Sequence, residues 1–251
     1  MIAPLVLPLL FMAGLLAGLI DSIAGGGGLI TVPVLLGVGL PPQVALGTNK
    51  LQASFGSGSA MLTFIRSGTV SLGDCRTGIL FTAVGAILGT VTVQLLDPAL
   101  LRLVIPWLLM GIVLYTVLTP RMGFDDIHPR MSRGPFFLLA GLILGFYDGF
   151  LGPGTGSFWV ISLIFALGFN LIKATGYTKV MNFTSNITSL IMFILGGSVL
   201  WREGLIMGVG QFIGARIGAR LVVLRGASFI RPIFITMVVA ITARLIWQNF
   251  K

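Results

Sequence analysis

Ten apolar stretches, at about 3–24, 29–40, 44–65, 77–96, 99–119, 135–151, 156–168, 171–196, 203–224 and 230–248, follow one another with only short polar connectors between them. No water-soluble core absorbs that many. With 56% hydrophobic and 9% charged residues among 251, most of the chain must face hydrocarbon, where the backbone has to satisfy its own hydrogen bonds. The expected fold is therefore an all-α polytopic membrane protein with 8–10 membrane segments and no room for a soluble domain. The opening stretch lacks a basic leader and a small-residue cleavage site, so it reads as the first membrane segment and not as a removable signal.

Charge and rare residues exclude several functions. The net charge is +9, but the 16 lysines and arginines mostly sit singly at the ends of apolar runs, without the basic face or aromatic platform that nucleic acid needs. Orientation in a bilayer explains them better. Cys75 is the only cysteine, which excludes an internal disulfide and a thiolate metal cluster. His128, the only histidine, falls in the hydrophilic linker, so neither a zinc cluster nor a serine–histidine pair can be built. The chain does not read as an enzyme, and nothing in it calls for a metal or cofactor.

The chain repeats itself. Aligning Ala13 with Ala140 matches seven of fifteen positions, among them Gly18 with Gly145, Asp21 with Asp148, Gly25 with Gly152 and Gly27 with Gly154. Beyond these the offset grows by two, and Lys50 falls on Lys179, Gly85 on Gly214, Gly89 on Gly218 and Arg102 on Arg231. The expected organisation is a first repeat at 1–119, a linker at 120–134 and a second repeat at 135–251.

Glycines break the first apolar unit of each half into a long and a short piece. A piece of about 12 residues reaches only about 18 Å into a hydrocarbon core about 30 Å thick, so at least one piece per half stops inside the membrane. A broken unit, re-entrant or not, returns the chain to its starting side, and three full spans follow. Each half then crosses an odd net number of times, and the halves are expected to be inverted. Inversion places ten lysines and arginines (Arg66, Arg76, Arg121, Arg130, Arg133, Lys173, Arg216, Arg220, Arg225, Arg231) against four (Arg102, Arg202, Arg244, Lys251), whereas a parallel arrangement splits them eight to six. The linker is thus expected in the cytoplasm and both termini outside.

Inverted repeats with broken helices point to a secondary transporter whose site lies where the breaks meet. Gly25, Gly26, Gly27 and Gly28, with Gly152, Gly154 and Gly156, would let backbone N–H groups approach a bound anion at a helix start; the alternative is close helix packing, the role expected of Gly85, Gly89, Gly210, Gly214 and Gly218. A charge near the bilayer centre costs roughly 2.5–3.5 kcal/mol, so Lys50 and Lys179 need a reason. They could compensate an anion, with Asn49, Gln52, Asn182 and Asn186 orienting it; alternatively they snorkel, or pair with the aspartate of their own half. Asp21 and Asp148 are candidates for capping the glycine turn or for coupling to a proton or sodium ion. Gln211 and Arg216 are candidates for lining or gating the path, Arg216 equally for snorkelling. Asp74 and Glu203 read as solvated edge charges. Glycine-rich helix faces would permit a homodimer.

The stretches "DSIAGGGGLI", "ALGTNKLQ", "GFYDGFLGPGTGSF", "NFTSN", "FILGG" and "GQFIGARIGAR" resemble the TSUP family of bacterial membrane transporters, the sulfite exporter TauE/SafE family, and most closely its YfcA-type members. The resemblance spans nearly the whole chain. It implies a secondary transporter in the bacterial inner membrane for a small anion, often a sulfur-containing one such as sulfite, a sulfonate or thiosulfate. An anion channel and a carrier of other small organic anions are the competing readings.

Overall fold

The structure, a computed structural model, describes residues 6–118 and 128–225. The last apolar stretch, with Arg231, Arg244 and Lys251, and most of the linker lie outside the described residues. Every described element is helical: α1 (Leu7–Ala24), α2 (Gly28–Gly37), α3 (Pro42–Arg66), a short 3-10 turn (Leu72–Cys75), α4 (Arg76–Leu95), α5 (Pro98–Leu118), α6 (Arg133–Phe150), α7 (Thr155–Leu167), α8 (Leu171–Leu195) and α9 (Trp201–Arg225). The boundaries follow the sequence. Prolines open α1 and α3, where their missing N–H costs nothing, and the Asn170 side chain accepts the Lys173 N–H at 3.0 Å to start α8.

The breaks fall at the glycine clusters. Gly25 at φ 75° and Gly154 at φ 84° take conformations closed to most side chains, and they separate α1 from α2 and α6 from α7. With 10 residues α2 spans only about 15 Å, half a hydrocarbon core. Its end and that of α7 therefore differ in depth from those of the 25-residue helices α3, α8 and α9.

Glycine faces hold the helices together across the two repeats. Along α1 and α9, Gly14 meets the Met207 backbone, Gly18 meets Gln211 and Gly214 meets Leu15; a methyl group at any of them would overlap main chain. Along α4 and α6, Gly85 meets Leu142, Gly89 meets Phe146 and Gly149 meets Ala86 in the same way. Both pairs run parallel, and each joins a helix of one repeat to a helix of the other. The glycine faces expected to serve a dimer are thus occupied within the chain.

The long helices α3 and α8 cross at the centre in opposite directions. Gly47 lies against Phe193 and Ser198, and Gly58 against Phe183, so the contact moves down one helix as it moves up the other. Between them the usual arrangement of a soluble protein is reversed. Thr48, Asn49, Lys50, Gln52, Lys179, Asn182 and Ser185 are buried, while Leu103, Ile143, Phe165 and Leu224 are more than half exposed. That is the pattern of a helical protein with lipid on its outside.

At the rim near the linker, Arg133 pairs with Asp74 at 2.7 Å and Tyr177 donates to the same carboxylate. Asp74 is thus a half-exposed ion pair. Glu203, which the sequence suggested would be solvated, is instead only 7% exposed in the first turn of α9, because the turn packs back onto α3. Cys75 is fully buried, and burial, helped by Asp74 and opposed by Arg133, pushes its thiol up to about 12.

A candidate anion site where the two breaks meet

Two lysines close the broken helices, each from the opposite repeat. Lys50 on α3 donates to the backbone carbonyl of Asp148 at 2.5 Å and to its Oδ1 at 2.7 Å. Lys179 on α8 donates to the backbone carbonyl of Asp21 and to its Oδ2, the latter at 3.0 Å. Asp21 and Asp148 sit in the last turns of α1 and α6, where the helix end is partly negative, so each ammonium neutralises a carboxylate and a helix terminus together. The sequence suggested a free cation or a partner within one half. The observed pairing crosses between the halves, and no charge is left over: two cations face two anions.

The aspartates divide their remaining oxygens differently. Asp21 Oδ1 accepts the Gly27 N–H at 3.2 Å, which is the expected capping role. Asp148 caps no turn; its Oδ2 accepts the Ser185 hydroxyl, and Asn186 Oδ1 joins Lys50 at 3.3 Å. The first pair is sealed, with side chains 1% and 5% exposed, and the second is slightly more open at 0% and 15%.

Beside these pairs lies a cavity of about 30 Å³, room for a water or two by the measure in which one water needs about 10–15 Å³. Both breaks border it. Gly26 and Gly28 line it from the start of α2, and Gly152, Gly154 and Gly156 from the start of α7. The N–H groups of Gly26, Gly28, Gly154 and Gly156 find no acceptor among the described residues. Two helix starts, each partly positive, therefore bring residues with unpaired N–H groups to the border of one cavity. The breaks also touch directly, Gly25 against the backbone of Gly156 and Ser157, and Gly28 against Pro153.

Amides complete the lining: Asn49, Asn182, Asn186 and Gln211. Asn49 Oδ1 is occupied, accepting from Thr31 at 2.6 Å and from Gln52 at 2.7 Å. Asn186 donates to Ser57 at 3.4 Å. Asn182 and Gln211 each keep a buried side-chain oxygen with no partner. A buried polar atom left unpaired costs about 1–3 kcal/mol, and both residues border a cavity with room for water or a ligand.

The structure thus gathers Gly26, Gly28, Asn49, Gly152, Gly154, Gly156, Asn182, Asn186 and Gln211 around one cavity, with Asp21 and Asp148 at its edge. Gly25 and Gly27 serve the turn itself, Gln52 stands behind Asn49, and the lysines lie behind the aspartates. Arg216 is elsewhere, on the exposed outer face of α9. Sequence reasoning missed two lining residues, Ala53 and Thr155. Thr155 carried a signal, since it is the repeat counterpart of Gly28; Ala53 carried none.

Comparison with known proteins fits this architecture. The family model described as sulfite exporter TauE/SafE matches residues 10–245. The probable membrane transporter protein YfcA of Escherichia coli strain K12 is 48% identical over 249 residues, 99% of this chain and 93% of that protein. A probable membrane transporter protein of Haemophilus influenzae is 46% identical over 97% of this chain and 95% of its own length, and a probable membrane transporter protein, ORF9, of a Sinorhizobium species is 45% identical over 96% and 92%. No solved structure matches. A family match across nearly all the described helices, together with relatives this similar end to end, makes the chain a membrane transporter of the sulfite exporter TauE/SafE family.

Proposed function

We propose that the protein is a secondary transporter that carries a small anion, sulfur-containing as in sulfite, a sulfonate or thiosulfate, across the bacterial inner membrane by alternating access. The observation that carries the reading is the meeting of two helix starts at one cavity, lined by glycines whose N–H groups find no acceptor among the described residues. Four main-chain donors with no competing acceptor suit an oxyanion, whose several oxygens accept from fixed directions. Asn182 and Gln211 border the same cavity, and the atoms they leave unpaired are acceptor oxygens, so they serve an anion only once each amide turns its NH2 group toward it. Lys50 and Lys179 act from behind: by cancelling Asp148 and Asp21 they let an anion approach carboxylates that would otherwise repel it.

Inversion of the repeats is supported by the centre of the molecule. Ser57 and Asn186 occupy equivalent positions in the two halves, and they touch where α3 and α8 cross antiparallel. Two equivalent helices meeting head to tail at equivalent residues is what a twofold axis in the membrane plane produces. The cavity is small because the arrangement is closed, and loading requires the broken units of one half to part from the other. Positive-inside charge then puts the linker in the cytoplasm.

Flux into proteoliposomes tests the reading. Wild-type protein should move one of a panel of sulfite, thiosulfate, sulfonates and small carboxylates with a saturable rate, and unlabelled anion on the far side should accelerate exchange. Flux that never saturates makes the protein a channel; no flux of any panel member ends the anion reading.

A further inference from the structure

A second polar place lies on the outside of the bundle, at the end of α3. Ser59, Leu62, Thr63 and Arg66 from α3 face Phe212, Arg216 and Arg220 from α9 around a cavity of about 170 Å³. It shares no residue with the central cavity. Three arginines border it and no carboxylate does, and none of their guanidiniums has a partner among the described residues. Like charges held together repel, and an anion among them relieves the repulsion.

The surroundings say which kind of anion. The pocket opens on the lipid-facing side, where Leu62 is 46% exposed, Phe212 38% and Ile217 48%. Arg66 ends α3, and Arg216 and Arg220 lie in the last turns of α9, which runs parallel to α3, so all three reach the same membrane boundary. That boundary is the arginine-rich side of the chain. A phosphate held by forked guanidiniums, with hydrocarbon immediately beside it, describes a phospholipid and not a solute.

The repeat supplies an internal control. At the equivalent positions of α8 and α4, 129 residues away, Leu195 stands for Arg66, Ile87 for Arg216 and Val91 for Arg220. Those three are exposed as well, at 76%, 39% and 37%. The same fold is therefore built without arginines at the opposite boundary, and the packing of α3 on α9 does not require them. We propose that Arg66, Arg216 and Arg220 bind the phosphate headgroup of an anionic phospholipid in the leaflet on the linker side.

Full-length protein, delipidated in an uncharged detergent, is titrated with phosphatidylglycerol, with phosphatidylcholine and with inorganic phosphate, and bound lipid is counted by native mass spectrometry alongside the melting temperature. The variants are Arg216→Gln alone and the triple Arg66→Leu, Arg216→Ile, Arg220→Val, which copies the other half. Phosphatidylglycerol should bind wild type and raise its melting point, and each lost arginine should weaken that binding about fivefold. The lipid-free melting points of the variants should match wild type. Equal binding of phosphatidylglycerol to wild type and triple variant overturns the proposal, as does equal binding of phosphatidylcholine. Stabilisation by inorganic phosphate at the same concentrations would make the pocket a site for soluble anions and overturn the lipid assignment. None of these outcomes depends on what the central cavity carries.

Discussion

In the first half of the molecule Lys50 reaches across to both the carbonyl and the carboxylate of Asp148; in the second half Lys179 makes the same two bonds to Asp21. Around these matching pairs the halves diverge. Asn182 and Asn186 of α8 stand where α3 has Ala53 and Ser57, Asn49 of α3 stands where α8 has Thr178, and Gln211 of α9 stands where α4 has Thr82. The groups that close helix ends and the glycine breaks are duplicated, and the amides that line the cavity are not. On the proposed function, an anion in the cavity would meet an asymmetric set of amides inside a frame whose ion pairs match between the halves.

That contrast can be broken at its strongest point first. Lys50→Ala leaves the Asp148 carboxylate buried without its counter-ion and should lower stability by about 3–5 kcal/mol, while replacing both partners with apolar residues of similar size should recover most of the loss. Lys179→Ala should cost less, because Asp21 is more open to solvent. Reversible unfolding in mixed micelles measures both, and equal losses would show that the two pairs are energetically interchangeable after all.

Packing is the next test. Gly89→Ala and its counterpart Gly218→Ala each push a methyl into the main chain of the neighbouring helix and should each cost about 1–3 kcal/mol. A large difference between them would place one helix pair, α4 with α6 or α9 with α1, under tighter constraint than the other.

Recognition should separate from stability. Asn182→Ala and Gln211→Ala remove amide oxygens that bond to nothing, so melting points should shift little, yet half-saturation of anion flux should rise roughly tenfold for each if the amides donate to the anion. Exchanging the halves at one position, Ala53→Asn with Asn182→Ala, asks whether the side of the cavity matters. The smallest effect belongs to the rim: Asp74→Asn breaks a half-exposed ion pair and should change stability by less than about 1 kcal/mol.

Much of this was legible in the sequence. Apolar length alone placed the described helices to within a few residues, and the repeat located both breaks, because glycine clusters inside apolar runs have few other uses. The cavity amides Asn49, Asn182 and Asn186 were legible as polar residues with no solvent to justify them. The partners of the lysines were not. Chain proximity suggests Lys50 with Asp21, but α3 and α8 cross antiparallel, which carries each lysine to the broken helix of the other half. Glu203 misled for a related reason: it sits next to Arg202 in a connector-like stretch, yet α9 begins there and turns that side chain inward. Spacing along a chain reports faces of single helices, and it is silent about which face another helix will cover.

The balance of Lys50 and Lys179 against Asp21 and Asp148 has an electrical meaning. A membrane potential acts on net charge moved through it, at about 2.3 kcal/mol per elementary charge for each 100 mV. Four groups that sum to zero give the potential nothing to push when the site is empty, so the return step of the carrier proposed above is indifferent to voltage. The loaded step is not, since it moves the charge of its cargo. If the cargo is a monovalent anion travelling alone, as proposed, a cell that is negative inside drives it outward, and uptake needs a cation to travel with it.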